Sequence, residues 1–174
     1  MDAPSAELTL ELSPLDQIMP RAYIRLILCF RLPLIVSTSE VVARLREGLA
    51  ATVSRLPFLA GNVQLVSGSG TNSGRLEVRY REDDQVTLQI KELHGSMPPF
   101  DQLQAARTPI SLLDGDLLAP LPAFPNPANP TPVFAIQANF VEGGLLLCIC
   151  VHHAVMDGTG VGDSCKCLGL WLPF

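Results

Sequence analysis

The stretch that decides the fold is residues 143–160, which read GGLLLCICVHHAVMDGTG. Its seven apolar residues, Leu145 to Val151, follow a Gly-Gly pair and end at polar residues. Such a run predicts a strand that is buried on both of its faces. The strand delivers two adjacent histidines, His152 and His153, to the point where the backbone leaves the sheet and side chains can face a cleft.

The two histidines are predicted to have different roles, because neighbouring strand residues point to opposite faces of a sheet. Only one imidazole then faces a given cleft, where a His is suited to removing a proton from an alcohol or amine. Asp157 either orients that His or fixes the loop through an Arg or backbone groups. Gly158 and Gly160 allow close backbone approach or a positive φ. The spacing alone equally fits a polar strand end whose hydrogen bonds are all satisfied.

The sequence pattern of residues 37–57 predicts one long helix with an N-terminal cap. Ser37-Thr38-Ser39-Glu40 has the pattern of a capping box, and Pro57 ends the helical periodicity. We expect a helix from about Ser37 to Arg55, packed on one face of a sheet. The residues at helical spacing that should be buried are Val42, Leu45, Leu49 and Val53.

Strands are predicted on both sides of this helix, so the class is mixed α/β. The expected strands are Ala22–Phe30, Asn62–Val66, Leu76–Tyr80, Val86–Ile90 and Val133–Val141. The third and fourth of these are expected to form a hairpin across residues 82–85. A helical turn is predicted within Pro99–Arg107, and a helix is predicted to start near Ser164. Residues 117–132 form a Pro-rich, linker-like segment.

Composition and charge exclude several classes of function. Seventeen acidic and twelve basic residues give a net charge of −5, which provides no electrostatic basis for binding nucleic acid or anionic lipid. Residues 117–141 carry no charge, but their six prolines exclude a membrane helix. The start of the chain has neither the basic nor the apolar region of a signal peptide. The odd number of cysteines, five, favours reduced, buried thiols in a cytoplasmic protein.

Three motifs together resemble one enzyme family. His153-Ala154-Val155-Met156-Asp157-Gly158 resembles the HxxxDG motif of the BAHD-type, coenzyme-A-dependent acyltransferases. Residues 12–17, LSPLDQ, resemble the family's N-terminal signature, and residues 56–61, LPFLAG, resemble the end of its first helix. Asn62 stands where a basic residue is frequent. The motifs follow the family's order over nearly the whole chain, and the match is closest to the fungal trichothecene 3-O-acetyltransferase-like branch.

The resemblance implies the N-terminal half of a chloramphenicol-acetyltransferase-like two-layer α/β sandwich. It implies that His153 is the general base for transfer of an acyl group from acyl-CoA, the co-substrate, to a hydroxyl or amine of a small secondary-metabolite-type acceptor. Asp157 then has a structural role, pointing away from the imidazole to a salt bridge, and Gly158 keeps the channel open. The resemblance implies no metal, no tightly bound cofactor and no covalent acyl-enzyme, and it assigns no residue to coenzyme A binding.

The sequence also departs from the family. The motif Asp-Phe-Gly-Trp-Gly and the second domain are absent, and the only tryptophan is Trp171. We therefore interpret residues 1–174 as a truncated acyltransferase N-terminal domain. Loss of the second domain should expose an apolar surface through which the chain self-associates.

Three other interpretations remain open. The first is a condensation domain of nonribosomal peptide synthetases, whose HHxxxDG motif fits residues 152–158 literally. The second is a metal-binding module, which the Cys-x-Cys spacing of Cys148 with Cys150 and of Cys165 with Cys167 does not favour. The third is an inactive half-domain that binds a partner.

Overall fold

The computed structural model describes residues 5–66, 74–126 and 129–169, and they form two four-stranded sheets joined by one core. The strand order is β1-β4-β3-β6 in the first sheet and β2-β8-β7-β5 in the second. The strands are β1 (Leu8–Glu11), β2 (Tyr23–Arg31), β3 (Asn62–Leu65), β4 (Leu76–Tyr80), β5 (Leu88–Glu92), β6 (Thr131–Pro132), β7 (Phe134–Val141) and β8 (Gly144–His152). The α-helices are α1 (Pro14–Gln17), α2 (Thr38–Arg55), α3 (Phe100–Ala105), α4 (Gly115–Leu118) and α5 (Gly158–Cys167).

The apolar run of residues 145–151 forms a buried strand, as predicted, and this strand is an inner strand of the second sheet. Strand β8 lies antiparallel between β2 and β7, and each of its nine residues is buried. It leaves β7 through a tight turn at Gly143, whose φ of 73° favours glycine. Alternate residues of β8 belong to different clusters: Val151 packs in the main core, whereas Cys148 and Cys150 pack with Tyr23 and Ala119. The strand is therefore covered on both faces.

The long helix is confirmed together with its cap. The Ser37 side chain accepts from the backbone N–H of Glu40, and the Glu40 carboxylate accepts from the N–H of Ser37 at 2.9 Å. The buried face of α2 carries Val41, Val42, Leu45, Leu49 and Thr52. The prediction that Val53 is buried was wrong: it lies half-buried at the edge of this face, because Thr52 turns inward and bonds to the carbonyl of Gly48.

The predicted hairpin between residues 76–80 and 86–90 does not form. Strand β4 is already paired on both edges, with β1 on one side and β3 on the other. The chain therefore crosses to the second sheet, where β5 lies parallel to β7. Alternation of apolar residues identifies a half-buried strand, but it carries no information about its partner.

The Pro-rich segment is held against the second sheet at several backbone atoms. The carbonyl of Leu117 accepts from Lys91 and from Gln137, and the carbonyl of Leu121 accepts from Arg25 at 2.7 Å. The carbonyl of Ala123 accepts from the N–H of Tyr23 at the start of β2. Side chains of the second sheet and the backbone of Tyr23 thus hold residues 117–123 against that sheet, whereas Thr131 and Pro132 form β6 and pair with β3 of the first sheet. Residues 127–128 lie outside the described part.

The two remaining helix predictions are confirmed with shifted bounds. Helix α3 falls within the turn predicted at Pro99–Arg107, whereas α5 begins at Gly158, six residues before the predicted start at Ser164. Gly158 and Gly160 lie near its start, and glycine has a low helix propensity, so the start of α5 could not be predicted from helix propensity. The continuation predicted beyond residue 169, with Trp171, lies outside the described residues.

Candidate active site

Two backbone hydrogen bonds fix the positions of the histidines at the end of β8. The N–H of His152 donates to the carbonyl of Val133, and the N–H of His153 donates to the carbonyl of Ala22, each at 2.9 Å. Strand β8 ends at His152, and His153 opens the turn that leads to α5. The backbone of both histidines is therefore anchored by residues that directly precede β7 and β2, the two neighbours of β8.

His152 is a neutral, buried imidazole at neutral pH. Its side chain is 2% exposed and packs edge-on against the ring of Tyr23, with ring centroids 5.5 Å apart. Its Nδ1 accepts from the backbone N–H of Ala154 at 3.3 Å. Burial lowers the pKa of His152 to about 4, and the neighbouring His153 and Arg21 act in the same direction. A neutral ring whose Nδ1 accepts must carry its proton on Nε2.

His153 differs from its neighbour in exposure and in bonding. Its side chain is half-buried, and its Nδ1 is buried without a hydrogen-bond partner among the described residues. A neutral His with its proton on Nδ1 has a free lone pair on Nε2, the arrangement needed to accept a proton from a substrate. The backbone of His153 is therefore held by a hydrogen bond, whereas no hydrogen bond from a described residue selects the tautomer of its imidazole ring.

Asp157 caps the helix that follows the turn. It is the N-cap of α5, and its carboxylate accepts from the N–H of Gly160 at 2.9 Å. Of the two roles that the spacing left open, the structure shows the bond to backbone groups, and Asp157 forms no ion pair within the described residues. The salt bridge implied by the resemblance stays a prediction. The cap holds the residue four positions after His153 at a defined place.

The two glycines of the motif have different surroundings. Neither Gly158 nor Gly160 has a positive φ. A Cβ on Gly158 would meet nothing within 4 Å, whereas one on Gly160 would lie 2.5 Å from Cγ of Met156. Gly158 thus leaves open space at the N-terminus of α5, and Gly160 lets the side chain of Met156 pack under the turn.

A cavity of about 630 Å³ opens beside His152. Its wall includes Arg21 from the entry to β2, Asn62 and Gln64 from β3, and Thr131 from β6. A second cavity, of about 790 Å³, lies between α2 and residues 82–88. His153 lines neither. Sequence reasoning missed the first cavity because its wall comes from five separate segments, although it did single out Asn62 as a departure from the family pattern.

The cysteines on β8 belong to the packing of the outer face. The Sγ atoms of Cys148 and Cys150 lie 3.9 Å apart, and their contact, together with burial, raises the pKa of Cys148. Cys29 is exposed, which corrects the expectation of buried thiols at that position, and Cys167 is half-buried.

Residues 5–66, 74–126 and 129–169 contain no group of three or more His, Cys, Asp or Glu side chains placed to hold a metal ion. They also contain no helix both long and apolar enough to cross a bilayer.

Solved structures identify the class of fold. The chain superposes on TRI101 of F. sporotrichioides, solved with coenzyme A and T-2, with a TM-score of 0.81 and 29% identity, over 92% of this chain and 38% of that one. Apo TRI101 of F. graminearum gives a TM-score of 0.84 and 26% identity, over 94% of this chain and 39% of that one. The fold is thus the N-terminal half of a chloramphenicol-acetyltransferase-like α/β sandwich, as the motifs implied.

The family follows from the sequence comparison. A family model described as the trichothecene 3-O-acetyltransferase-like N-terminal domain matches residues 22–169, so the chain belongs to this family. It is 32% identical to the O-acetyltransferase astG of Aspergillus oryzae, over 88% of this chain and 31% of the relative. It is 34% identical to the trichothecene 8-O-acetyltransferase of Fusarium sporotrichioides, over 94% of this chain and 33% of the relative. The chain spans about a third of the length of these relatives.

The condensation-domain interpretation finds a more distant likeness. The first condensation domain of the calcium-dependent antibiotic synthetase gives a TM-score of 0.59 at 19% identity, over 94% of this chain and 38% of that one. This identity supports a shared fold only. The acyltransferase relatives are closer in both sequence and structure.

Proposed function

We propose that this chain is the N-terminal part of an O-acyltransferase in which His153 is the general base. One observation carries the proposal: His153 stands at the exit of the central strand, its N–H bound to the carbonyl of Ala22 and its imidazole half-exposed. Membership of the trichothecene 3-O-acetyltransferase-like family supports it. TRI101 of F. sporotrichioides was solved in complex with coenzyme A and T-2, which favours acyl-CoA as donor and a small hydroxylated molecule as acceptor.

The proposed step is a direct transfer. Nε2 of His153 takes the proton of the acceptor hydroxyl while its oxygen attacks the thioester carbonyl carbon, forming a tetrahedral oxyanion. Collapse of this intermediate breaks the bond between carbon and sulfur. The thiolate of coenzyme A leaves and takes the proton from the imidazolium, so the ester and the free thiol are the products and the base is regenerated.

Asp157 and Gly158 support this step without touching the reacting atoms. The Asp157 cap fixes the start of α5, and therefore the far end of the turn that begins at His153. Gly158 leaves the space beside that turn open. His152, with a pKa lowered to about 4 by burial, is a weaker base than an ordinary His and is already engaged at Nδ1, which favours His153 for proton transfer.

The test is a chimeric enzyme in which this chain replaces the matching third of the F. sporotrichioides trichothecene 8-O-acetyltransferase. Acetyl transfer from acetyl-CoA to a trichothecene alcohol is followed by release of free thiol and by mass spectrometry of the ester. His153→Ala should lower kcat by about 10²–10⁴, because a general base contributes that factor. His152→Gln should have a smaller effect.

A matched control is His94→Ala, which removes an exposed loop histidine that contacts Glu92 and should leave transfer unchanged. The proposal fails if the wild-type chimera binds acetyl-CoA but transfers no acetyl group, or if His153→Ala keeps full activity while His152→Gln loses it. Transfer from an acyl group on a carrier protein, with none from acetyl-CoA, would favour the condensation-domain interpretation instead.

A further inference from the structure

The cavity of about 630 Å³ beside His152, called here the His152 cavity, has the size of a small-molecule site. Apolar side chains, Val63, Leu65 and Leu76 among them, form part of its wall. Polar side chains from three elements, among them Asn62 and Gln64, form the rest. This mixture suits a molecule with an apolar body and a few polar atoms.

His152 brings an unused hydrogen-bond donor to this cavity. Its Nδ1 accepts from the N–H of Ala154, so the proton of the neutral ring is on Nε2. No described residue accepts from that Nε2–H. Nε2 of His152 is not fully enclosed. In this it differs from Arg25 Nε, Gln137 Oε1 and His153 Nδ1, which are fully enclosed and have no partner among the described residues. Nε2 therefore keeps some contact with open space, and His152 is one of the residues that line the cavity.

Arg21 adds a second set of donors on the same wall. One of its terminal nitrogens donates to the carbonyl of Gly74 at 3.0 Å, which leaves other N–H groups of the guanidinium available. Arg21 lies close enough to contribute to the lowered pKa of His152. A positive group and a neutral N–H donor on one wall favour a ligand oxygen and disfavour a ligand cation.

We propose that the His152 cavity binds a neutral, largely apolar molecule through a carbonyl or hydroxyl oxygen that accepts from Nε2 of His152. His153 is the next residue in the chain, but its side chain does not line this cavity, so the bound molecule is not assigned as the acyl acceptor. The binding site itself does not depend on acyl transfer.

The experiment is an NMR titration of the isotope-labelled full chain with cyclohexanone, cyclohexanol and cyclohexylamine at pH 7. The ketone and the alcohol should shift the signals of Val63, Gln64 and Thr131 and the ring ¹⁵N signal of Nε2 of His152. The protonated amine should not, because it has no acceptor and Arg21 repels it. His152→Phe keeps a ring but loses the donor, and should weaken ketone binding about 3- to 10-fold. His152→Gln retains a donor and should stay within about twofold.

Three results would overturn the inference: equal binding of the amine and the ketone, shifts confined to other surfaces, or ketone binding that is insensitive to His152→Phe. If His152→Phe does not fold, the Nε2 signal of the wild-type chain decides, since a hydrogen bond to the ketone must move it. Ketone binding in this chain together with an inactive chimera would refute the proposed function and keep the site. An active chimera whose chain ignores all three probes would do the reverse.

Discussion

Replacing Gly48 with Ala tests how α5, and with it the turn that carries His153, is held on the domain. Gly48 lies in the middle of α2, where glycine is a poor helix former. A Cβ at this position would lie 2.5 Å from the backbone carbonyl oxygen of Leu168, the C-cap residue of α5. The obstacle is a main-chain atom that cannot rotate away. Close packing of the two helices therefore explains why a glycine occupies this position.

The magnitude follows from two opposed terms. Ala in a helix interior is more favourable than Gly by about 0.8–1.0 kcal/mol, whereas forcing an extra methyl into a packed contact costs about 1–3 kcal/mol. Gly48→Ala should therefore lower the free energy of unfolding by about 0–2 kcal/mol. For a chain of this size, each kcal/mol corresponds to roughly 2–4 °C in Tm.

Gly162→Ala is the matched control. Gly162 lies inside α5, and a Cβ there would meet nothing within 4 Å, so this variant should gain about 1 kcal/mol. The difference between the two variants, measured by urea unfolding followed by circular dichroism, isolates the packing term of about 1–3 kcal/mol. Equal stabilisation by both variants would refute the close contact between α2 and α5.

Three further predictions concern stability. Leu49→Ala should cost about 2–5 kcal/mol in urea unfolding because Leu49 is 4% exposed, and the half-buried Val53→Ala should cost clearly less; equal costs would contradict the assigned face of α2. Asp157→Ala should lose about 0.5–2 kcal/mol through the missing cap on Gly160, whereas Asp157→Asn, which also caps, should stay close to wild type. Acid should destabilise the fold through His152: its folded pKa of about 4 lies below the ordinary 6.5, so the unfolded chain takes up a proton first as pH falls. Up to about 3 kcal/mol should be lost between pH 6.5 and 4, and His152→Gln should remove that part of the pH dependence; an unchanged profile would show that His152 is not buried as a neutral ring.

Several features of the fold were predictable because they depend on neighbours in the chain. The capping box of Ser37 and Glu40 and the helix ending before Pro57 are local, and both appear as predicted. The apolar run of β8 also needed no tertiary information, since a strand that is apolar at every position has to be covered on both faces. The HxxxDG-like order of residues 153–158 likewise identified the family before any fold was known.

Other features depended on which segments meet in space. Alternation at residues 86–90 predicted a strand, but only the sheet showed that β4 already had two partners and that β5 pairs with β7. The Asp157 carboxylate had two open roles until the start of α5 placed the N–H of Gly160 beside it.

The same division applies to the candidate site. The sequence by itself determined the class of fold, the strand that ends in two histidines and the family to which the motifs belong, because periodicity and motif order are properties of consecutive residues. Only the tertiary structure decided that His152 is neutral and faces a cavity, since its burial, its bond to Ala154 and the wall from Arg21 and β3 come from segments far apart in the chain. A pKa and a cavity are set by what surrounds a side chain, and those surroundings exist only once the chain has folded.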